Sequence, residues 1–186
     1  MAAKDIVVIV GSLRKASLNR KLAHALDEIA GDRLSLRILE IGDLPLYNED
    51  LETEAPPAAW TRFREEARPA DGLLFVTPEY NRSMSGAMKN AIDVGSRPYG
   101  KSALAGKPAA VVSLSPGAIG GFGANHHLRQ SLVFLDNPVL QQPEMYLGHA
   151  GKLFGEDGRL ADDSIRPLLE KFIDAFAFWV EQRPIG

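Results

Sequence analysis

Short apolar runs alternate with segments of helical periodicity along the whole chain. Residues 6–10 (Ile-Val-Val-Ile-Val) are wholly apolar and β-branched, as in a strand covered on both faces. Leu18, Leu22, Ala25, Leu26 and Ile29 then recur at helical spacing. Leu34, Leu36, Ile38 and Ile41 alternate with polar positions, which predicts a second strand nearer a sheet edge. Pro56-Pro57 opens a second helix with Trp60, Phe63 and Ala67 on one face. Residues 73–76 form a third buried strand, and a short helix from about Ser85 turns Met88, Ala91 and Ile92 inward. After the break at Gly106-Lys107-Pro108, residues 109–114 predict a fourth strand, and a helix runs through Leu128, Leu132 and Leu135. Residues 139–140 and 145–147 predict a fifth, interrupted strand. The last helix carries Ile165, Leu168, Leu169, Phe172, Ile173, Phe176 and Trp179, and is expected to start at the capping pair Asp162-Asp163.

Regular alternation of strands and helices implies an α/β fold with a parallel sheet and helices on both faces. Five strands in this length fit a flavodoxin-like, doubly wound five-stranded parallel sheet in a three-layer α/β/α arrangement. No repeat, low-complexity tract or linker divides the chain, so residues 1–186 are expected to form one domain. Residues 42–57 make an unusually long connection, of the kind that tends to be functional or interfacial.

Composition narrows the function by exclusion. The 186 residues are 45% hydrophobic and 24% charged, with a net charge of −3, so no basic footprint argues for nucleic acid. There are no cysteines, which removes disulfides, thiolate nucleophiles and zinc–thiolate sites. The N-terminus runs straight into the first strand, with no signal peptide and no apolar stretch of spanning length. A cytoplasmic protein with no membrane partner is the expectation.

In doubly wound sheets, ligands lie at the carboxyl ends of the strands, where strand order reverses. Three loops leave those ends. The first, Gly11-Ser12-Leu13-Arg14-Lys15-Ala16-Ser17-Leu18-Asn19, joins a buried strand to a helix N-terminus, which is a ready anion site. Ser12, Ser17, Arg14 and Asn19 add side-chain donors suited to phosphate oxygens. The second runs from Thr77 to Gly86. Pro78 stiffens its exit, Tyr80 offers a flat apolar face with a polar tip, and Asn81 and the backbone offer donors and acceptors. Together these suit a planar heteroaromatic ring. The third, residues 115–123, holds four glycines in seven residues after Ser115-Pro116, and lets backbone approach a ligand closely.

Other chemistries fit poorly. No Gly-x-Gly-x-x-Gly follows the first strand, and no lysine-bearing phosphate loop is present. His126 and His127 are adjacent on a helix and point apart, without carboxylates at ligand spacing, so no metal is expected. His24 is expected to be solvated. Ser115 with either histidine resembles part of a hydrolase, but no Gly-x-Ser-x-Gly elbow surrounds Ser115 or Ser85.

With the three loops in hand, the chain resembles the NAD(P)H-dependent FMN reductase family, and within it the quinone and chromate reductase branch. The matching residues are Gly11-Ser12-Leu13-Arg14 with Ser17 and Asn19, and Pro78-Glu79-Tyr80-Asn81 with Ser83, Gly86, Lys89-Asn90-Ala91-Ile92-Asp93 and Ser96-Arg97-Pro98. Ala105-Gly106-Lys107-Pro108, Gly120-Gly121 and His127-Leu128-Arg129 extend the match. The resemblance implies that Ser12, Arg14, Ser17, Leu18 and Asn19 hold the FMN phosphate. It implies that Pro78, Glu79, Tyr80 and Asn81, with Ser83 beside them, contact the isoalloxazine ring and ribityl chain, and that Ser115 and Gly117 approach the ring. Three positions depart from the family pattern: Arg82 where an aromatic residue is common, Ser85 where proline is usual, and Val94 where tryptophan is usual. They are expected to flank the ring rather than the phosphate loop.

The activity this implies is an FMN-dependent oxidoreductase with NAD(P)H as co-substrate. It would pass two electrons to quinones or similar small-molecule acceptors, with chromate, azo compounds and free flavin as further candidates. The cofactor carries the chemistry, so no catalytic side chain is expected. The alternatives are a flavodoxin-like electron carrier and a flavin-binding regulatory module. The family also implies a homodimer or homotetramer, with residues 42–57 and Arg97-Pro98-Tyr99 as candidate contacts.

Overall fold

The computed structural model describes residues 3–183. Five strands, β1 (Lys4–Val10), β2 (Leu34–Leu39), β3 (Gly72–Thr77), β4 (Ala109–Leu114) and β5 (Met145–Leu147), form one parallel sheet in the order β2-β1-β3-β4-β5. Five helices connect or follow them: α1 (Leu18–Ala30), α2 (Ala58–Ala67), α3 (Gly86–Gly95), α4 (Phe122–Phe134) and α5 (Arg166–Glu181). The chain starts in the middle of the sheet, winds outward to β2, then returns past β1 to β3. The order therefore reverses between β1 and β3, and their carboxyl ends leave a crevice.

The apolar runs form strands because both faces are covered. Every residue of β3 and β4 is buried, as are Ile6 to Val10 of β1. The pleat sends Ile6, Val8 and Val10 toward α1 and α5, where they meet Leu22, Leu26, Phe172 and Phe176. Val7 and Ile9 face the other way, toward Trp60 and Phe63 of α2, Met88 of α3 and Leu128 of α4. Burying a side chain of this size contributes about 1.5–3 kcal/mol, so the two apolar layers hold the sheet in place. β2 sits at an edge, and its alternating burial agrees with that place. It stops at Leu39, two residues before Ile41.

The fifth strand is interrupted as expected. Val139 makes an isolated parallel bridge to Ala109, and pairing resumes only at Met145. One capping expectation is corrected. Asp162 accepts from the Ser164 N–H and caps a 3-10 turn, Asp163–Ile165, while α5 begins at Arg166 without a side-chain cap. The long connection over residues 42–57 is tied down. Asn90 of α3 accepts from the Tyr47 N–H at 2.8 Å and donates to the Leu44 and Pro45 carbonyls. Arg64 holds Glu52 through two hydrogen bonds of 2.8 and 2.6 Å, with both side chains nearly buried.

Candidate functional site

The first loop leaves β1 at Gly11, whose N–H donates to the Val76 carbonyl at 2.9 Å. A Cβ at Gly11 would lie 2.9 Å from Pro78 and 3.1 Å from both Met88 and the Ser85 hydroxyl. Only glycine lets the first and second loops close this tightly. Ser85 fastens the contact. Its Oγ donates to the Gly11 carbonyl at 2.6 Å and accepts from the Met88 N–H at 3.1 Å, capping α3. Ser17 caps α1 by accepting from the Arg20 N–H. Leu18 and Asn19 then open α1 with N–H groups that no helical carbonyl reaches. Ser12 and Asn19 are buried, and Arg14 is exposed. The Asn19 Nδ2 is buried with no hydrogen-bond partner among the described residues. Such an orphan donor is costly and calls for an acceptor.

The second loop is a two-residue hairpin. The Tyr80 N–H donates to the Ser83 carbonyl at 2.9 Å and the Ser83 N–H to the Tyr80 carbonyl at 3.0 Å. Asn81 and Arg82, with φ of 50° and 64°, form the tip in left-handed backbone. Tyr80 is half exposed, so it does not merely cover the core. Glu79 turns its Oε2 to the Ala124 N–H at 3.1 Å, at the N-terminal end of α4, where the helix dipole favours a carboxylate. Ser83 turns away to share a hydrogen bond of 3.0 Å with His127 Nδ1.

The third loop is fixed by β5. The Ser115 N–H donates to the Leu147 carbonyl, and the Gly117 carbonyl accepts from the His149 N–H at 3.1 Å. At Gly120, φ is 64° and a Cβ would meet the Tyr146 carbonyl carbon at 2.6 Å, so this close approach also needs glycine. His126 packs on Phe122 and reaches the Tyr146 hydroxyl at 3.2 Å, while His127 faces Ser83; the two rings diverge. Burial, aided by a hydrogen bond to Glu144, pushes the Tyr146 phenol up to about 12.

Between the three loops lies a cavity of about 200 Å³ at the carboxyl ends of β1, β3 and β4. Ser12, Arg14, Leu18 and Asn19 line one end, Pro78, Glu79 and Tyr80 one wall, and Leu114, Ser115 and Pro116 the other. Donors gather at one end, while Pro78, Tyr80, Leu114 and Pro116 give the rest an apolar surface interrupted by Glu79 and Ser115. That division suits a ligand with an anionic group and a planar ring. A larger surface concavity of about 570 Å³ lies between α4 and α5. Its Arg129 and Trp179 already donate to the Leu140 and Pro138 carbonyls, and Arg183 stacks on Trp179. It lies away from the strand ends, so the smaller cavity is the candidate site.

Eight of the expected site residues thus come together. Ser17, Asn81, Ser83 and Gly117 do not line the cavity: Ser17 caps the helix, Asn81 tips the hairpin, Ser83 binds His127, and Gly117 faces His149. Leu114 and Pro116 line the cavity without having been singled out, although both flank Ser115 in the sequence. The expectation for the three departures is corrected in two places. Val94 is fully buried among the residues packed beneath the sheet, its carbonyl held by Arg64 Nε at 2.9 Å, and it does not border the cavity. Ser85 reaches the phosphate-type loop itself, through Gly11. Among the described residues, no group of three or more His, Asp or Glu is placed to hold a metal. No helix among them is long and apolar enough to cross a membrane.

Residues 5–152 match the model of a family described as NADPH-dependent FMN reductase. Over 177 residues, 95% of each chain, the sequence is 66% identical to a quinone reductase of Pseudomonas putida. It is 45% identical over 183 residues to a 2-hydroxy-1,4-benzoquinone reductase of a Burkholderia species, covering 98% of this chain and all of the relative. The structure is similar to that of FerB, a flavoenzyme NAD(P)H:(acceptor) oxidoreductase of Paracoccus denitrificans, with a TM-score of 0.92 and 42% identity. That match covers 98% of this chain and 100% of FerB.

Proposed function

We propose that this chain, which belongs to the NADPH-dependent FMN reductase family, seats FMN in the cavity between its first, second and third loops and uses it to reduce quinones. The chain is an NAD(P)H-dependent, FMN-dependent oxidoreductase with a flavodoxin-like fold. Its relatives are named for quinones, hydroxylated ones among them, and quinones are the acceptor class proposed for this chain.

The observation that carries the assignment of the site is the orphan Asn19 Nδ2, buried at the donor-rich end of the cavity. It fits a phosphate, which brings several strong acceptors and a charge. In this reading Ser12 and Arg14 hold the same phosphate with Asn19, and the open first turn of α1 favours its charge. Pro78, Tyr80 and Pro116 flank the ring with flat apolar surface. FMN, when bound, supplies the redox chemistry, and no side chain has to act as acid, base or nucleophile. The Ser85–Gly11 hydrogen bond keeps the phosphate end and the ring wall in register. Glu79, fixed on α4, holds the hairpin against the third loop.

The test is to titrate FMN into purified apoprotein by fluorescence, then follow NADH or NADPH oxidation with 1,4-benzoquinone under anaerobic conditions. Stoichiometric binding and quinone-dependent turnover are expected. Failure to bind FMN would overturn the reading. A homodimer or homotetramer belongs to the same proposal, supported by Leu46 and Tyr99, which stand 78% and 72% exposed on the two candidate contact segments. A monomer by light scattering at working concentration would remove it.

A further inference from the structure

We infer that Arg82 is a specificity-determining residue that reads negative charge on the substrate exchanging at the FMN cavity; this rests on the function proposed above. The starting observation is conformational. Asn81 and Arg82 form the two-residue tip of the hairpin, both in left-handed backbone. Such a tip accepts asparagine at its first position and ordinarily takes glycine at its second. An arginine is held there against its backbone preference, and residues so held gather where their side chains are used.

Packing does not account for it. The Arg82 side chain is 74% exposed, and its ion partner among the described residues, Glu79, stands 3.6 Å away. Glu79 has a closer anchor in the Ala124 N–H at 3.1 Å. At 3.6 Å the pair makes no hydrogen bond, so the exposed guanidinium keeps its donors open to a visitor. Its carrier is rigid. The Arg82 carbonyl lies so near Gly123 that a Cβ there would meet it at 2.7 Å, and Ser83 is tied to His127. Arg82 lies outside the lining of the cavity, and its cation stands 3.6 Å from Glu79, which forms part of the wall.

An exposed cation next to a wall residue of a site discriminates by charge. Two substrates of this reaction class each carry an anion that the neutral or less charged counterpart lacks: NADPH, through its 2′-phosphate, and an acidic quinone, through an ionised or sulfonated group. The experiment compares wild type, Arg82→Gly and Arg82→Lys, each loaded with FMN. One arm measures the ratio of kcat/KM for NADPH over NADH at saturating 1,4-benzoquinone. The other measures 1,2-naphthoquinone-4-sulfonate over 1,4-benzoquinone at saturating NADH. Arg82→Gly is expected to lower the ratio about tenfold in one arm, equivalent to about 1.4 kcal/mol, through KM rather than kcat. The arm that moves identifies the source of the charge. Arg82→Lys should retain most of the ratio, and about 1 M salt should shrink it in wild type, since screening then acts within about 3 Å. The melting temperature of Arg82→Gly should stay level or rise by up to about 4 °C, because glycine relieves the backbone. Unchanged ratios in both arms overturn the inference. So does a fall in melting temperature, which would make Arg82 a clamp on the hairpin. Wild-type protein that fails to take up FMN overturns the functional reading instead.

Discussion

Replacing Asn19 by leucine should move stability and cofactor affinity in opposite directions. Asn19 is 4% exposed and its Nδ2 has no partner among the described residues. A buried donor left unsatisfied costs about 1–3 kcal/mol. Leucine has nearly the same shape and no donor, so Asn19→Leu removes that cost from the apoprotein. For a chain of this size each kcal/mol shifts the melting temperature by about 2–4 °C, which gives a rise of about 2–12 °C. The bound state changes the other way. A hydrogen bond to a charged phosphate contributes about 1.5–3 kcal/mol, so FMN should bind about 10- to 150-fold more weakly. Thermal melts of the apoprotein by circular dichroism read the first effect, and FMN fluorescence titration reads the second. A purely structural asparagine predicts the reverse pattern. A lower apoprotein melting temperature with FMN affinity within twofold of wild type would refute the reasoning.

Arg14→Ala should weaken FMN about ten- to a hundredfold in the same titration, since one charge-assisted phosphate contact is lost. Ser85→Ala removes the cap of α3 and the brace to Gly11 together, and should cost about 1–2 kcal/mol by urea denaturation. Lys107 donates to the Arg68 and Ala70 carbonyls, and burial lowers its pKa below the ordinary lysine value. In the window between the lowered folded value and the unfolded one, the unfolded chain binds more protons, so this group favours the fold increasingly as pH rises. Lys107→Met should therefore lose ground to wild type as pH rises toward the ordinary lysine value; a constant difference in urea stability would remove Lys107 as the cause.

Much of this architecture is legible along the chain because its signals are local. The runs at residues 6–10, 73–76 and 109–114 are too apolar for any place but a strand covered on both faces. The anion-binding loop is legible for a related reason: Ser12, Arg14, Ser17 and Asn19 fall within one strand–helix junction. Contacts between distant segments leave no such trace. Ser85 and Gly11 are 74 positions apart, and Glu79 and Ala124 are 45 apart. The sequence shows a serine before a helix and a glutamate in a loop, but not that each braces a second loop. Val94 lies in the core because the last turn of α3 packs against Phe63 and Leu104, a matter of tertiary packing. At Asp162, a local turn with Ser164 competes for the carboxylate and wins, so the expected helix cap serves a 3-10 turn.

The broken fifth strand has a consequence for self-association. A long, continuous outer strand exposes a row of N–H and C=O groups that another chain can extend, and this is the usual route to fibrils. Here the outer row is one bridge at Val139 and three residues from Met145 to Leu147. Between them Pro143 withholds a donor. The border of the sheet at β5 is a poor template for growth. Copies of this chain that meet on that side must do so through helices and loops, where shape and charge limit the number of partners.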